Sequence, residues 1–131
     1  MKRIPQDFRD LLEDETKAFA FLATNMKDGS PQVTPVWFNT DGDYILVNTA
    51  RGRVKEINMR DRPQVALVIP EPGNPYRYIQ IRGRAIQITE KGASEHFDKV
   101  AIAYIGKPFD YPSDQIRVIV KILPESIDTH A

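Results

Sequence analysis

The chain has 131 residues and no formal net charge, because 18 basic residues balance 18 acidic ones; this predicts a single domain spanning residues 1–131 and argues against binding to nucleic acid. Cysteine is absent and there are only two histidines, His96 and His130, so we expect neither disulfides nor a metal site. No apolar run approaches the roughly 20 residues needed to cross a membrane, so we expect a cytoplasmic protein without a membrane partner.

The N-terminal part of the chain is predicted to form a helix and then a hairpin. Residues 5–17 have helical apolar spacing, with a proline in the first turn. The apolar run at residues 18–24 indicates a buried strand, an Asp-Gly pair indicates a tight turn, and residues 32–39 indicate a second strand. Because proline cannot donate a ladder hydrogen bond, Pro35 should lie at a sheet edge, at a bulge or against a ligand.

The middle of the chain contains a strand, a short helix and two further strands. Residues 44–49 read as a strand, and the helix after them should end before Pro63. Residues 64–70 read as the fourth strand and residues 76–89 as a long fifth strand. Along the fifth strand the apolar positions change parity around Gly83, which predicts a β-bulge of the kind that bends a sheet into a barrel.

The C-terminal part of the chain predicts one helix and one strand. Residues 90–105 carry apolar side chains on one helical face. Residues 116–123 alternate isoleucine and valine with Arg117 and Lys121, as expected for a half-buried strand. The prediction is therefore a mainly β fold, in which six mostly antiparallel strands form a small barrel and three helices pack outside it.

Three basic residues stand close together where the third strand runs into the short helix. Arg51, Arg53 and Lys55 lie at the helix start, where the backbone dipole already presents positive charge. A helix start with added arginine and lysine is suited to a phosphate group. The alternative is a solvated basic turn, whose side chains point to water or pair with acids such as Asp61.

Other candidate residues have equally strong structural interpretations. Trp37 could stack on a flat ligand or pack in the core. Tyr76, Arg77 and Tyr78 could form an aromatic and cationic rim, or a strand entrance packed on a neighbour. His96 is interpreted as a surface or packing residue. Because nothing in the chain resembles a nucleophile with its base, the catalytic residues remain unknown.

Four motifs in order resemble the pyridoxamine phosphate oxidase-like, split β-barrel flavoprotein superfamily, and within it the branch that depends on the deazaflavin coenzyme F420. These motifs are "FAFLATNMKDGSPQVTPVWF", "GDYILVNTARGRVKEINMRDRPQVAL", "NPYRYIQIRGRA" and "TEKGASEHFDKVAIAYIG". The resemblance implies a six-stranded antiparallel split β-barrel of the FMN-binding type. It also implies a homodimer with two cofactor sites at the subunit interface.

The resemblance further implies which residues bind the cofactor. Arg53 and Lys55 would hold its phosphate. A set of strand and loop residues would line the rest of the site: Gln32, Val33, Thr34 and Pro35 along the ring, Asn48, Thr49, Ala50 and Asn58 beside the phosphate, and Tyr76, Arg77 and Tyr78 from the partner subunit. Arg51 is either a contact to the cofactor tail or a surface charge.

The activity implied is hydride transfer between F420 and a small organic acceptor. FMN is the alternative cofactor, because both molecules carry a phosphate and only the oligoglutamate tail of F420 needs additional cations. Arg51, Arg77 and Arg82 would be available for that tail. A third alternative is a non-catalytic carrier of a flavin, F420 or a haem-like ligand on the same barrel.

Overall fold

The computed structural model describes residues 1–131, and its elements are those of a mainly β, antiparallel fold. Two 3₁₀ helices, Gln6–Leu12 and Asp14–Thr16, precede all strands. The remaining elements, in chain order, are β1 (Ala20–Asn25), β2 (Pro31–Val36), β3 (Asn39–Asp41), β4 (Tyr44–Ala50), α1 (Val54–Asp61), β5 (Gln64–Glu71), β6 (Asn74–Thr89), α2 (Ala93–Ile105) and β7 (Arg117–His130). The predicted fold class is confirmed, with seven strands instead of six because residues 39–41 form a strand of their own.

The sheet curls because its two edge strands are neighbours in the chain. Its strand order is β2-β1-β5-β6-β7-β4-β3, and every pairing is antiparallel. Only Trp37 and Phe38 separate β2 from β3. Since consecutive Cα atoms are about 3.8 Å apart, the two edges of the sheet must lie close together. The result is a barrel that is split between β2 and β3.

The inside of the curled sheet holds the main core, a cluster of 18 buried apolar residues. Ile79 and Ile81 of β6 and Val118, Val120 and Ile122 of β7 are fully buried there. Burial of each such side chain stabilises the fold by about 1.5–3 kcal/mol. No helix is both long enough and apolar enough to span a bilayer.

Two bulges bend the β6–β7 ladder close to the predicted glycine. At the first, Arg82 pairs with Ser126 and Gly83 with Pro124, so the extra residue belongs to β7. A Cβ on Gly83 would lie 2.0 Å from the Leu123 carbonyl oxygen, which explains the glycine. At the second bulge Ile86 is the extra residue, and it is here that the inward-facing parity of β6 changes. The bulge is thus confirmed at Gly83, whereas the parity changes three residues later.

Two parts of the chain differ from the sequence-based expectation. The N-terminal segment forms two 3₁₀ helices instead of one helix, because Glu13 between them is extended, with φ −74° and ψ 144°. The last strand continues to His130 because it pairs along β6 as far as Tyr78. Arg117, expected on the solvent face of this strand, is only 9% exposed because α2 covers the start of β7.

Candidate functional site

A cleft lies beside the end of β2, between the start of α1, helix α2 and the loop that leads into β7. It consists of two adjoining cavities of about 420 and 260 Å³. The first is mainly apolar, and the second is polar and carries most of the charge. Together they are lined by Phe19, Pro35, Val36, Trp37, Asn48, Thr49, Arg53, Lys55, Phe97, Val100, Phe109, Asp110, Tyr111, Pro112, Gln115 and Arg117.

Three basic side chains meet in this cleft without an acidic partner. Arg53 is the N-cap residue of α1, Lys55 lies in its first turn, and Arg117 begins β7. No carboxylate oxygen lies within the 4.0 Å ion-pair distance of any of the three. Asp110 is the one acidic residue that lines the cleft. The cleft therefore has an excess of positive charge, which is suited to binding an anion.

The electrostatics of the three cations reflect this arrangement. Burial, and then the charges of Arg53 and Arg117, lower the pKa of Lys55. Burial and the charge of Arg53 likewise lower the pKa of Arg117, while Tyr111 opposes this shift. The charge of Arg53 thus makes both Lys55 and Arg117 harder to protonate, and the charge of Arg117 does the same to Lys55. An anion placed among them would reduce this repulsion.

Arg51 points away from the cleft, although it precedes Arg53 by only two residues. Gly52 between them has φ +87°, a conformation that favours glycine and turns the chain. Arg51 forms ion pairs with Glu56 at 3.3 Å and with Glu90 at 3.2 Å. The Glu56 side chain is fully buried and also accepts the Gly52 N–H. The basic run thus divides into a paired member and two members that face the cleft.

Aromatic rings form one wall of the cleft. Trp37 is stacked on Tyr104, with ring centroids 5.3 Å apart. The rings of Phe97 and Phe109 lie 6.4 and 6.2 Å from the Trp37 ring and close the apolar cavity. The guanidinium of Arg117 lies 3.9 Å from the Phe97 ring centroid, in a cation–π contact. A cleft with an aromatic wall and a cationic end suits a flat molecule that carries a phosphate.

The predicted strand-end residues are divided between the cleft and the interior. Asn48 and Thr49 line the cleft, next to Arg117. Ala50 is buried at the end of β4. Asn58 is 3% exposed, and its amide donates to Thr24 Oγ1 at 3.0 Å, which connects α1 to β1. Asn58 therefore positions the helix that carries Lys55, and it does not line the cavity itself.

The four residues of β2 that are predicted to lie along a ring belong to an edge strand. Pro35 lines the cleft, and its place at the edge agrees with its missing N–H. Val33 is 63% exposed on the outer face, while Gln32 contacts Thr24 through its side chain. Thr34 Oγ1 is the one buried side-chain polar atom in the protein without a hydrogen-bond partner. Of these four residues, Pro35 alone lines the cleft.

Tyr76, Arg77 and Tyr78 lie outside the cleft of their own chain, at the start of β6. Arg77 pairs with Asp10 at 2.8 Å and Glu71 at 3.0 Å, and hydrogen bonds from Arg77 to these acids raise its pKa. Tyr78 stacks on His130, with centroids 5.4 Å apart, and Tyr76 is 76% exposed. Their predicted role, as contacts from a partner subunit, stays a prediction.

Several cleft residues were not predicted from the sequence. The alternation of β7 predicts a solvent-facing Arg117, and Phe109, Tyr111 and Gln115 lie outside the four motifs. Phe97 belonged to the apolar face of α2, and a pattern cannot distinguish a core face from a cavity wall. One available signal was the aromatic content of the loop "GKPFDYPSD", which is unusual for a surface connection.

Comparison with known proteins supports a common family. The sequence profile of the family described as pyridoxamine 5'-phosphate oxidase matches residues 4–131. A solved structure named as an F420 reductase is 31% identical in sequence, with a TM-score of 0.83, and the match covers 95% of this chain and 98% of that chain. Among curated protein sequences, none matches this chain.

Two more distant solved structures share the fold. A conserved hypothetical protein of Mycobacterium tuberculosis is 20% identical, with a TM-score of 0.75 over 99% of this chain and 89% of that chain. General Stress Protein 26 of Bacillus anthracis is 18% identical, with a TM-score of 0.67 over 95% of both chains. The resemblance seen in the four sequence motifs is thereby confirmed. The chain belongs to the pyridoxamine 5'-phosphate oxidase family and has its flavin-binding split-barrel fold.

Proposed function

We propose that the protein is an F420-dependent oxidoreductase, which transfers a hydride between the deazaflavin coenzyme and a small organic acceptor. The observation that carries the proposal is the cleft itself, where three cations without acidic partners face an aromatic wall. The similarity of the chain to a solved structure named as an F420 reductase, at 31% identity over nearly the whole chain, supports F420 as the cofactor.

The residues of the cleft fit the charged part of such a cofactor. Arg53, Lys55 and Arg117 would bind the phosphate, since arginine offers a planar fork and lysine a compact charge for phosphate oxygens. Asn48 and Thr49 add neutral polar groups at the same end. The edge of β2, with Thr34 and Pro35, would lie along the ring system. When bound, the deazaflavin supplies the hydride chemistry, and the protein supplies binding, orientation and exclusion of water.

FMN is the second candidate cofactor. The chain belongs to the pyridoxamine 5'-phosphate oxidase family, whose fold binds flavins, and the phosphate monoester of FMN also suits the three cations. The phosphodiester of F420 carries one charge, and its oligoglutamate carboxylates extend beyond it. Neither Arg51 nor Arg77 is free to meet those carboxylates, because both are already paired with acids. Arg82, which donates only to Ser126, is the least engaged of the three proposed tail contacts.

Members of the family are typically dimers, and the outer face of the sheet supports a dimer here. The register aligns side chains across four strands in two rows on this face. One row is Pro35, Phe21, Val68 and Gln80, and the other is Val33, Ala23, Ala66 and Arg82. Six of these eight residues are apolar, so a second copy of the chain would bury an otherwise exposed patch. Pro35 belongs both to this face and to the cleft, which suits a cofactor site at the interface.

We expect Val33→Asp to convert a dimer into monomers, because Val33 is 63% exposed at this face and burying an unpaired carboxylate is costly. Sedimentation velocity measures the change directly. Ile102→Asp is the matched control, since Ile102 is 50% exposed but lies on α2. A monomeric parent protein, or a Val33→Asp variant that remains dimeric, would contradict the proposed interface.

The proposed activity is tested by titration followed by turnover. Purified protein is titrated with F420 and, separately, with FMN, while the quenching of cofactor fluorescence is recorded; we expect micromolar binding of F420 and much weaker binding of FMN. Oxidation of reduced F420 is then followed with quinones and other acceptors. The reverse preference would favour the FMN enzyme, and binding of neither would refute both. A bound cofactor that no acceptor oxidises would indicate a carrier.

A further inference from the structure

A chain of hydrogen bonds connects the cationic end of the cleft to β3. Arg117 Nε donates to Asn48 Oδ1 at 2.9 Å. Asn48 Nδ2 contacts both the Ala93 carbonyl oxygen, at 2.8 Å, and His96 Nδ1, at 3.0 Å. His96 Nε2 in turn lies 2.8 Å from Asn39 Oδ1. These hydrogen bonds therefore connect side chains of β7, β4, α2 and β3 in series.

The direction of every bond in this chain is determined by its two ends. A guanidinium can only donate, so Asn48 must turn its oxygen towards Arg117. A backbone carbonyl can only accept, so the Asn48 amide nitrogen must face Ala93 and, beside it, His96. His96 Nδ1 must then accept a hydrogen bond from this amide, so the ring carries its single proton on Nε2, which donates to Asn39 Oδ1. Only the neutral Nε2–H tautomer of His96 satisfies all four bonds.

We propose that His96 is a positioning residue, which holds the Arg117 guanidinium in its anion-binding orientation by fixing the rotamer of Asn48. The inference rests on the proposed function, because Arg117 is one of the three cations assigned to the anion. Besides its bond to Asn48, Arg117 donates to Gln115 at 2.7 Å and lies on the Phe97 ring. These contacts leave the other N–H groups of Arg117 for a ligand in the cleft.

The surroundings of His96 keep it in the required neutral form. Burial, and then the charge of Lys99, lower its pKa to about 4. Protonation would place a second donor opposite the Asn48 amide and break the bond between them. Near neutral pH the ring therefore accepts from Asn48 continuously. Sequence alone indicated a surface or packing role, because the partners of His96 lie in β3 and β4, far away along the chain.

The test compares two substitutions of His96 that differ in one respect. His96→Asn keeps an acceptor close to the position of Nδ1, whereas His96→Leu removes it at similar volume. In ¹⁵N-labelled protein, the Arg117 Nε–H signal is identified by its loss in Arg117→Lys. We expect exchange of this proton with water to be slow in the parent and in His96→Asn, and at least about tenfold faster in His96→Leu. If His96→Leu fails to fold, His96→Ala makes the same comparison.

Two further measurements complete the test. Long-range ¹H–¹⁵N spectra should show the Nε2–H tautomer of His96 at neutral pH, and F420 affinity should fall about fivefold in His96→Leu but less than twofold in His96→Asn. An Nδ1–H tautomer, an unchanged Arg117 exchange rate in His96→Leu, or equal affinities would each overturn the proposal. If the parent binds neither F420 nor FMN, the proposed function fails, while the tautomer and exchange data still decide whether His96 positions Arg117.

Discussion

Substitution of both Arg53 and Lys55 by alanine is expected to weaken F420 binding by at least about thirtyfold, with little change in protein stability. Each side chain makes no ion pair within the protein, so its removal leaves no internal acid without a partner. Loss of a charged hydrogen bond to phosphate costs about 1–3 kcal/mol, and the two losses together should exceed about 2 kcal/mol. Fluorescence titration measures the affinity, and urea denaturation measures the stability.

Lys27→Ala is the control for the loss of a positive charge outside the cleft, at one charge instead of the two removed in the double variant. Lys27 is exposed in the β1–β2 hairpin, outside the cleft, and also forms no ion pair. Its removal lowers the net charge by one without altering the proposed site, so the affinity for F420 should stay within about twofold. Equal weakening by Lys27→Ala would mean that general attraction, and not the cleft, binds the anion.

Substitution of Glu56 by alanine is expected to destabilise the protein by about 2–3 kcal/mol, the largest effect on stability that we predict. The Glu56 side chain is fully buried and accepts hydrogen bonds from Arg60, Arg51 and the Gly52 N–H. Because the two arginines are 50% and 30% exposed, they regain water when Glu56 is removed, which limits the cost. The midpoint of urea denaturation measures this change.

Glu90→Ala is the matched control, since Glu90 pairs with the same Arg51 but is 56% exposed. An exposed pair of this kind contributes about 0–1 kcal/mol. The contribution of Glu56 to the free energy of unfolding should also depend on pH. A hydrogen bond from Arg60 lowers the Glu56 pKa below its usual value of 4.5, so its contribution is complete above that pH and is lost as the pH falls below it. Equal destabilisation by Glu56→Ala and Glu90→Ala at neutral pH would contradict the role assigned to Glu56 as a buried hydrogen-bond acceptor.

The periodic parts of the fold could be predicted from the sequence, because alternating apolar residues and Asp-Gly turns are local signals. The N-terminal segment was misassigned, since helical spacing does not distinguish 3₁₀ from α geometry when an extended residue such as Glu13 interrupts it. The additional strand β3 was missed because residues 39–41 are polar and pair only with β4. Its position depends on how the sheet closes, which no local pattern reports.

The site was predictable in part, for a similar reason. Arg53 and Lys55 stand at a helix start, where elementary electrostatics makes unpaired cations conspicuous. The pairing of Arg51 could not be inferred, because Glu90 lies in another part of the chain and Gly52 turns the backbone between the two arginines. Arg117 was missed because its strand alternates as a half-buried strand should. Only the packing of α2 against β7 shows that this polar position is enclosed.

The central claim is that the cationic end of the cleft binds the phosphate of the cofactor. The most direct test is a double-mutant cycle between ligand and protein, in which F420 and the corresponding deazaflavin that ends at its ribityl hydroxyl group are titrated into the parent protein and the Arg53→Ala/Lys55→Ala variant. Our account predicts that the parent protein prefers F420 by at least about 2 kcal/mol and that this preference nearly disappears in the variant. An equal preference for F420 in both proteins would contradict it.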